Sequence, residues 1–249
     1  MSEVGPGHDG GLAEAMYAAM RWNAPLSESH ADLLLNRLDL PGCGSVLDLG
    51  CGWGELLIRA VTAAMDAGVS GVGVDTDGPD LKRGRQAAID RGIEDRVKFV
   101  EASAVGWSEP ADRVLCVGAS HAWGGTAAAL HALVEMVTPG GRLLFGDGFW
   151  QRHPGKSAVE IFGEDVASLA ELVRLAHSAG WQVLHLSEAD QLEWDDFEST
   201  WRLGRHQWLA EHADSPTAPQ LAEELRAGVL EYLDVYRGVL GFGYLVLSR

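Results

Sequence analysis

The stretch Val46-Leu47-Asp48-Leu49-Gly50-Cys51-Gly52-Trp53-Gly54-Glu55, VLDLGCGWGE, decides the fold of this chain. Its first half is a short apolar run, as expected of a strand buried on both faces. The run breaks at once into glycines at 50, 52 and 54. A glycine turn between a strand and a helix lets the backbone approach a ligand closely and leaves helix N–H groups free to meet it. The pattern therefore predicts a nucleotide cradle.

Outward from this turn, strands and helices alternate. Ser45–Leu49, Gly71–Asp75, Val97–Glu101, Arg113–Gly118 and Arg142–Asp147 read as strands, and Trp181–Leu186 and Gly241–Ser248 as two more. Helices are expected over Glu55–Ala67, from Pro79 to about Arg91, near Thr126–Val137 and at about Asp165–Ala179. Thr138-Pro139-Gly140-Gly141 punctuates the end of the third of these. Such a rhythm implies an α/β fold with a doubly wound, seven-stranded, mostly parallel sheet, in which ligands bind beyond the carboxyl ends of the strands.

Two regions lie outside the minimal rhythm. Residues 1–10 are Gly-rich and polar, as in a disordered tail, and 11–40 carry helical spacing over Leu12–Arg21 and Ser27–Leu38, a helical N-terminal cap. The remaining 41–249 form the nucleotide-binding domain, with a helical insertion or lid at 188–239. Trp194, Glu198, Trp201, Arg205 and Trp208 share one helix face within it. That face either packs on the main domain or walls a substrate pocket, with Trp201 the lid's substrate-contacting candidate.

The formal charge of -17 over 249 residues, with no Lys/Arg run, argues against nucleic acid as a partner. Cys43, Cys51 and Cys116 show no CxxC pairing, so neither a disulfide framework nor a metal site is expected. No apolar stretch is long enough for a membrane helix and no secretory signal is visible. The expected setting is cytoplasmic, as a monomer or homodimer.

The glycine spacing is G-x-G-x-G, with Glu55 where a dinucleotide fingerprint has its third glycine. Asp48 and Glu55 flanking the turn would repel a pyrophosphate but favour a cationic ligand. S-adenosylmethionine (SAM) carries a sulfonium and an ammonium and no phosphate. Asp75, at the end of the second strand, can accept both ribose hydroxyls.

These residues resemble class I SAM-dependent methyltransferases. VLDLGCGWGE at 46–55, VGVDTD at 72–77, VKFVEAS at 97–103, DRVLCVGASHAWGG at 112–125 and TPGGRLLFGDGFW at 138–150 carry the resemblance, which extends over roughly residues 28–150. It implies a Rossmann-like fold whose last strand is antiparallel. It also implies that Asp48 and the turn residues Gly50, Cys51, Gly52 and Gly54 approach the methionine and ribose of SAM. Asp75 would hold the ribose, Thr76 lie beside the adenine, Ser103 and Ala104 line the adenine edge, and Gly118 leave room for the sulfonium. Many members place Asp where this chain has Ser103.

Methyl transfer is an in-line displacement from an activated leaving group, so the protein mainly aligns the partners and, for a hydroxyl acceptor, removes a proton. His121, three residues past Gly118, is the leading base, and Asp147 the second catalytic candidate. Trp22, Trp123 and Trp150 fall in segments that should border the site and are candidate substrate contacts. The expected function is transfer of a methyl group to O, N or S of a small metabolite or natural product. A protein methyltransferase and a non-catalytic SAM-binding module are the alternatives; a nicotinamide oxidoreductase is disfavoured by Glu55.

Overall fold

A computed structural model describes residues 11–249, so the expected tail at 1–10 lies outside the described residues. The chain opens with α1 (Leu12–Ala18) and α2 (Glu28–Leu38), followed by β1 (Ser45–Leu49), α3 (Glu55–Ala63), β2 (Ser70–Asp75), α4 (Gly78–Asp90) and β3 (Val97–Glu101). Next come β4 (Ala111–Val117), α5 (Thr126–Leu133), β5 (Val137–Trp150), α6 (Lys156–Phe162) and α7 (Leu169–Ser178). The last elements are β6 (Gln182–Glu188), α8 (Gln191–Glu211), α9 (Ala218–Glu231) and β7 (Leu240–Ser248).

Among the described residues one seven-stranded sheet runs in the order β3-β2-β1-β4-β5-β7-β6. β7 is antiparallel to both neighbours and the other pairs are parallel. The order reverses between β1 and β4, which puts the ligand crevice at their carboxyl ends. Helices cover both faces, so the central strands are apolar throughout: Val114, Leu115 and Cys116 of β4 are fully buried.

The helices start where local chemistry dictates. Ser27 caps α2 by accepting from His30 N–H at 3.2 Å. Asp77 caps α4 by accepting from Asp80 N–H at 2.9 Å, with Pro79 in the first turn. Ala31, Leu34, Leu35 and Leu38 form one buried face of α2, which lies across β5 and β7. The cap is also tied down by Tyr244 of β7, whose buried hydroxyl donates to Pro25 O at 2.8 Å.

Two expectations change. The fifth strand was expected to end at Asp147 but continues to Trp150, because antiparallel β7 keeps pairing as far as Trp150↔Leu240 after parallel β4 has stopped at Val117. Asp147 is therefore an interior residue of the strand. Likewise, Thr138-Pro139-Gly140-Gly141 lies within β5 as a bulge: Ala111 pairs with Val137 and Arg113 with Arg142. Asp112 secures it by accepting from Thr138 Oγ1 at 2.9 Å and from Gly44 N–H at 2.7 Å.

The insertion between β6 and β7 is helical, as expected. α8 begins with a reciprocal capping box between Asp190 and Glu193. α9 runs into a turn of π-helix, Tyr232–Tyr236, whose tyrosines bind back to α8: Tyr232 donates to Asp195 at 2.6 Å and Tyr236 to Glu198 at 2.9 Å. α8 crosses α1 so closely that a Cβ at Gly204 would stand 2.0 Å from Ala15 O. Trp194, Glu198 and Trp208 are buried, so the face singled out in the sequence is a packing face.

Candidate active site

The glycine turn works through backbone geometry. Gly50, Gly52 and Gly54 all have positive φ, at 76°, 52° and 66°. Space is equally restrictive: a Cβ at Gly50 would lie 2.3 Å from Ala119 Cβ, and one at Gly54 2.4 Å from Phe99 Cε1. The turn is thus pressed against the loop after β4 on one side and against β3 on the other.

A cavity of about 360 Å³ opens at this point, beyond β1, β2 and β4. Asp48, Gly50, Cys51, Gly52, Asp75, Thr76, Ser103, Ala104, Gly118 and His121 line it, as does Trp22 from the cap. Gly54 does not; its place is the packing against Phe99. Asp147 does not border it either. The Asp147 carboxylate accepts from Thr126 Oγ1 at 2.6 Å and from Gly148 N–H at 2.9 Å, which ties β5 to the start of α5.

The other tryptophans also sit away from the cavity wall. Trp123 packs on the apolar cluster beneath α5 and α7. Trp150 meets Phe162 edge-on, with ring centroids 6.1 Å apart. Trp201 is covered by the Arg205 guanidinium at 3.6 Å. The reason is shared: each ring finds an apolar or cationic partner away from the cavity.

Several wall residues have no local sequence signal. Tyr17 of α1 and Arg21, Asn23, Ala24 and Leu26 of the segment that joins α1 to α2 close one side. Trp53 holds that segment in place. Its indole N–H donates to Arg21 O at 2.8 Å, and Arg83 stacks over its ring at 4.2 Å while donating to the carbonyls of Tyr17 and Met20. Arg59 lies over the Trp22 ring at 4.7 Å. The tryptophan inside the glycine motif therefore couples the turn to the cap.

The cavity is acidic. Asp48, Glu55, Asp75, Asp77 and Asp80 stand on its described wall, against the single guanidinium of Arg21. Glu55 contributes little net charge, since Arg59 and Arg91 bond it at 3.1 and 2.8 Å. Asp75 is held by two backbone donors: Gly52 N–H at 2.7 Å on Oδ2 and Asp77 N–H at 3.0 Å on Oδ1.

Asp48 accepts no hydrogen bond from a described residue, and burial, with Asp75 nearby, pushes its carboxyl up to about 8. Asp80 is pushed up to about 6 by burial, with Asp77 and Asp75 adding to it. Burial and then Asp48 drive the Cys51 thiol far above its usual range, which keeps it protonated and a poor nucleophile. A wall that holds a carboxylic acid uncharged, and whose one guanidinium, Arg21, is already bound to Glu28, suits a positively charged ligand without phosphates.

The profile of the family described as mycolic acid cyclopropane synthetase matches residues 24–198. This chain belongs to that family. It is a SAM-dependent methyltransferase with the Rossmann-like methyltransferase fold, and SAM is its cofactor. YjhP of Escherichia coli K12 is 31% identical over 209 residues, covering 81% of this chain and 83% of YjhP. The 27-O-demethylrifamycin SV methyltransferase of Amycolatopsis mediterranei is 28% identical over 206 residues, covering 82% of this chain and 71% of that one. A SAM-dependent methyltransferase from Geobacter sulfurreducens, solved with S-adenosylhomocysteine (SAH), superposes with a TM-score of 0.86 at 29% identity, over 95% of this chain and 97% of its own.

Among the described residues of this synthetase-family methyltransferase, no helix is long and apolar enough to cross a membrane. Nor do three or more His, Cys, Asp or Glu side chains cluster as metal ligands there.

Proposed function

We propose that this methyltransferase acts on a small metabolite or natural product, with SAM seated in the acidic cavity at the carboxyl ends of β1, β2 and β4. The observation that carries the reading is the pair of acids on that wall: Asp75, fixed by two N–H donors, and Asp48, buried without a partner. The two fixed oxygens of Asp75 keep lone pairs for the ribose hydroxyls. Asp48 meets the cationic methionine end beside Gly50, Cys51 and Gly52. Thr76 lies against the adenine, with Ser103 and Ala104 along its edge.

Ser103 Oγ accepts from Val105 N–H at 3.2 Å, so its hydroxyl hydrogen remains to donate to an adenine ring nitrogen. Gly118, with φ 72° and nothing nearer to a Cβ there than Phe242 Cζ at 3.9 Å, leaves space at the end of β4.

SAM supplies a methyl already activated on sulfonium. The chain orders the acceptor, excludes water and, for a hydroxyl acceptor, takes up the proton. His121 is the group for that last task. It stands on the short turn after β4, borders the cavity, and its ring hydrogen-bonds no described residue, so both nitrogens are available. Asp147, bound to Thr126, orders the wall behind and is not the base. The rifamycin methyltransferase among the relatives supports a natural-product acceptor.

The test has two stages. SAM and SAH should bind near micromolar, about 8 kcal/mol, and Asp75→Ala should abolish binding; uptake of NAD(H) with neither ligand bound would end the reading. Radiolabelled SAM with a panel of acceptors then reads turnover, which His121→Ala should remove while SAH binding stays. The family's description calls for a mycolic acid in the panel, and label found only there would move the acceptor class to lipids. Capture of one stoichiometric protein partner, or SAM binding without turnover on any acceptor, would point to a protein substrate or a non-catalytic module.

A further inference from the structure

A second cavity, of about 340 Å³, lies on the other side of the segment that joins α1 to α2. Arg21, Trp22, Ala24 and Leu26 border both cavities. The opposite wall is α8, through Glu193, Asp196, Phe197 and Thr200. These positions follow a three-four-seven spacing and share one helix face, distinct from the packing face of Trp194, Glu198 and Trp208. A molecule that fills this cavity therefore rests on the wall of the SAM site, and the volume is that of a small-molecule pocket.

The lining has a definite chemistry. Glu28, Glu193 and Asp196 bring three carboxylates to it; Arg21 at 2.6 Å and Arg59 both bind Glu28, and His30 at 3.0 Å binds Glu193, so the charge that stays open is that of Asp196. Burial alone would raise Glu193. Donors from His30 and Ser27 and the backbone N–H groups of Asp190 and Ser27 outweigh it and hold the carboxyl near 2, so it is an anion. Asp196 engages no described residue. Phe197 contributes aromatic surface beside these charges, as does the part of Trp22 that Arg59 does not cover. Aromatic faces together with carboxylates favour an organic cation and disfavour an anion of the same shape.

We propose that this second cavity is the acceptor subsite and that it anchors a cationic group carried on an apolar or aromatic body. The methyl-accepting atom lies at the other end of the acceptor, past Trp22, so the anchored cation need not lose its proton for transfer to occur. This rests on the reading of the first cavity as the SAM site.

The test uses the SAH-saturated protein and three probes of matched shape: phenethylamine, 2-phenylethanol and 3-phenylpropanoate. Binding is followed by ligand-observed NMR, with the SAH dissociation constant measured on every sample. Phenethylamine should bind about tenfold more tightly than 3-phenylpropanoate. Asp196→Asn should remove most of that preference, and Phe197→Leu should weaken all three probes, with SAH affinity unchanged in both. Equal or tighter binding of the anion, or a preference untouched by Asp196→Asn, would overturn the proposal while leaving the SAM site standing. Failure of the wild type to bind SAH would instead overturn the reading beneath it.

Discussion

With SAM seated as proposed, Asp48 should make cofactor binding a proton-linked reaction. Its carboxyl sits at about 8 in the free protein, through burial and then the charge of Asp75. A cation seated beside it favours the ionised form, so SAM binding at neutral pH should expel the proton. At pH 7 a group with that value is roughly 0.9 protonated, and close to one proton should leave per SAM bound. Below about pH 8 the affinity should then rise about tenfold per pH unit, or ~1.4 kcal/mol, and level off above it.

Stability of the ligand-free chain should move the other way. The folded value lies above the ordinary carboxylate value of 3.8, so between the two the folded chain keeps a proton that the unfolded chain has lost. The stabilising effect is whole below pH 3.8 and is lost as pH rises through about 8. Calorimetric titration of SAM from pH 6 to 9, in buffers of different ionisation enthalpy, counts the protons directly. Asp48→Asn should bind without proton release and without the pH slope. No proton release and a flat affinity in the wild type would refute the reasoning.

Other substitutions test the scaffold. Trp53→Phe keeps an aromatic ring under Arg83 but loses the bond to Arg21 O. It should cost roughly 0.5–1.5 kcal/mol and speed SAH release, as read by stopped-flow fluorescence. Gly50→Ala sets a Cβ 2.3 Å from Ala119 at a φ of 76°; SAH binding should fall at least tenfold by titration, ~1.4 kcal/mol or more. Leu34→Ala empties a fully buried site under the cap; chemical denaturation should show a loss of about 2–5 kcal/mol.

Much of the fold can be read from local sequence. Ser45–Leu49 and Val97–Glu101 are strands over the very spans their apolar runs mark, and α3 starts at Glu55 because the Gly54 conformation ends the turn there. What the sequence hides is settled by distant partners. β5 is long because β7 lies beside it, and α6 is a short helix at whose end Phe162 meets both Trp150 and Tyr236.

The cofactor residues expected from the sequence, Gly54 apart, line one cavity because they sit on the glycine turn and on neighbouring strand ends. The acceptor side was less legible. Which face of α8 meets a cavity depends on how the helix is rotated against the cap, and Glu193, not Trp201, proves to face it. Glu55 was read as a charge for the ligand, yet Arg91, far along the chain, neutralises it. Asp77 and Asp80 supply the acidity in its place.

A structure with SAH bound tests the cofactor assignment most directly. SAH should occupy the cavity at the ends of β1, β2 and β4, with both ribose hydroxyls about 2.6–3.2 Å from the Asp75 carboxylate and the amino-acid end beside Asp48. SAH bound elsewhere, or a ribose out of hydrogen-bonding reach of Asp75, would contradict the assignment.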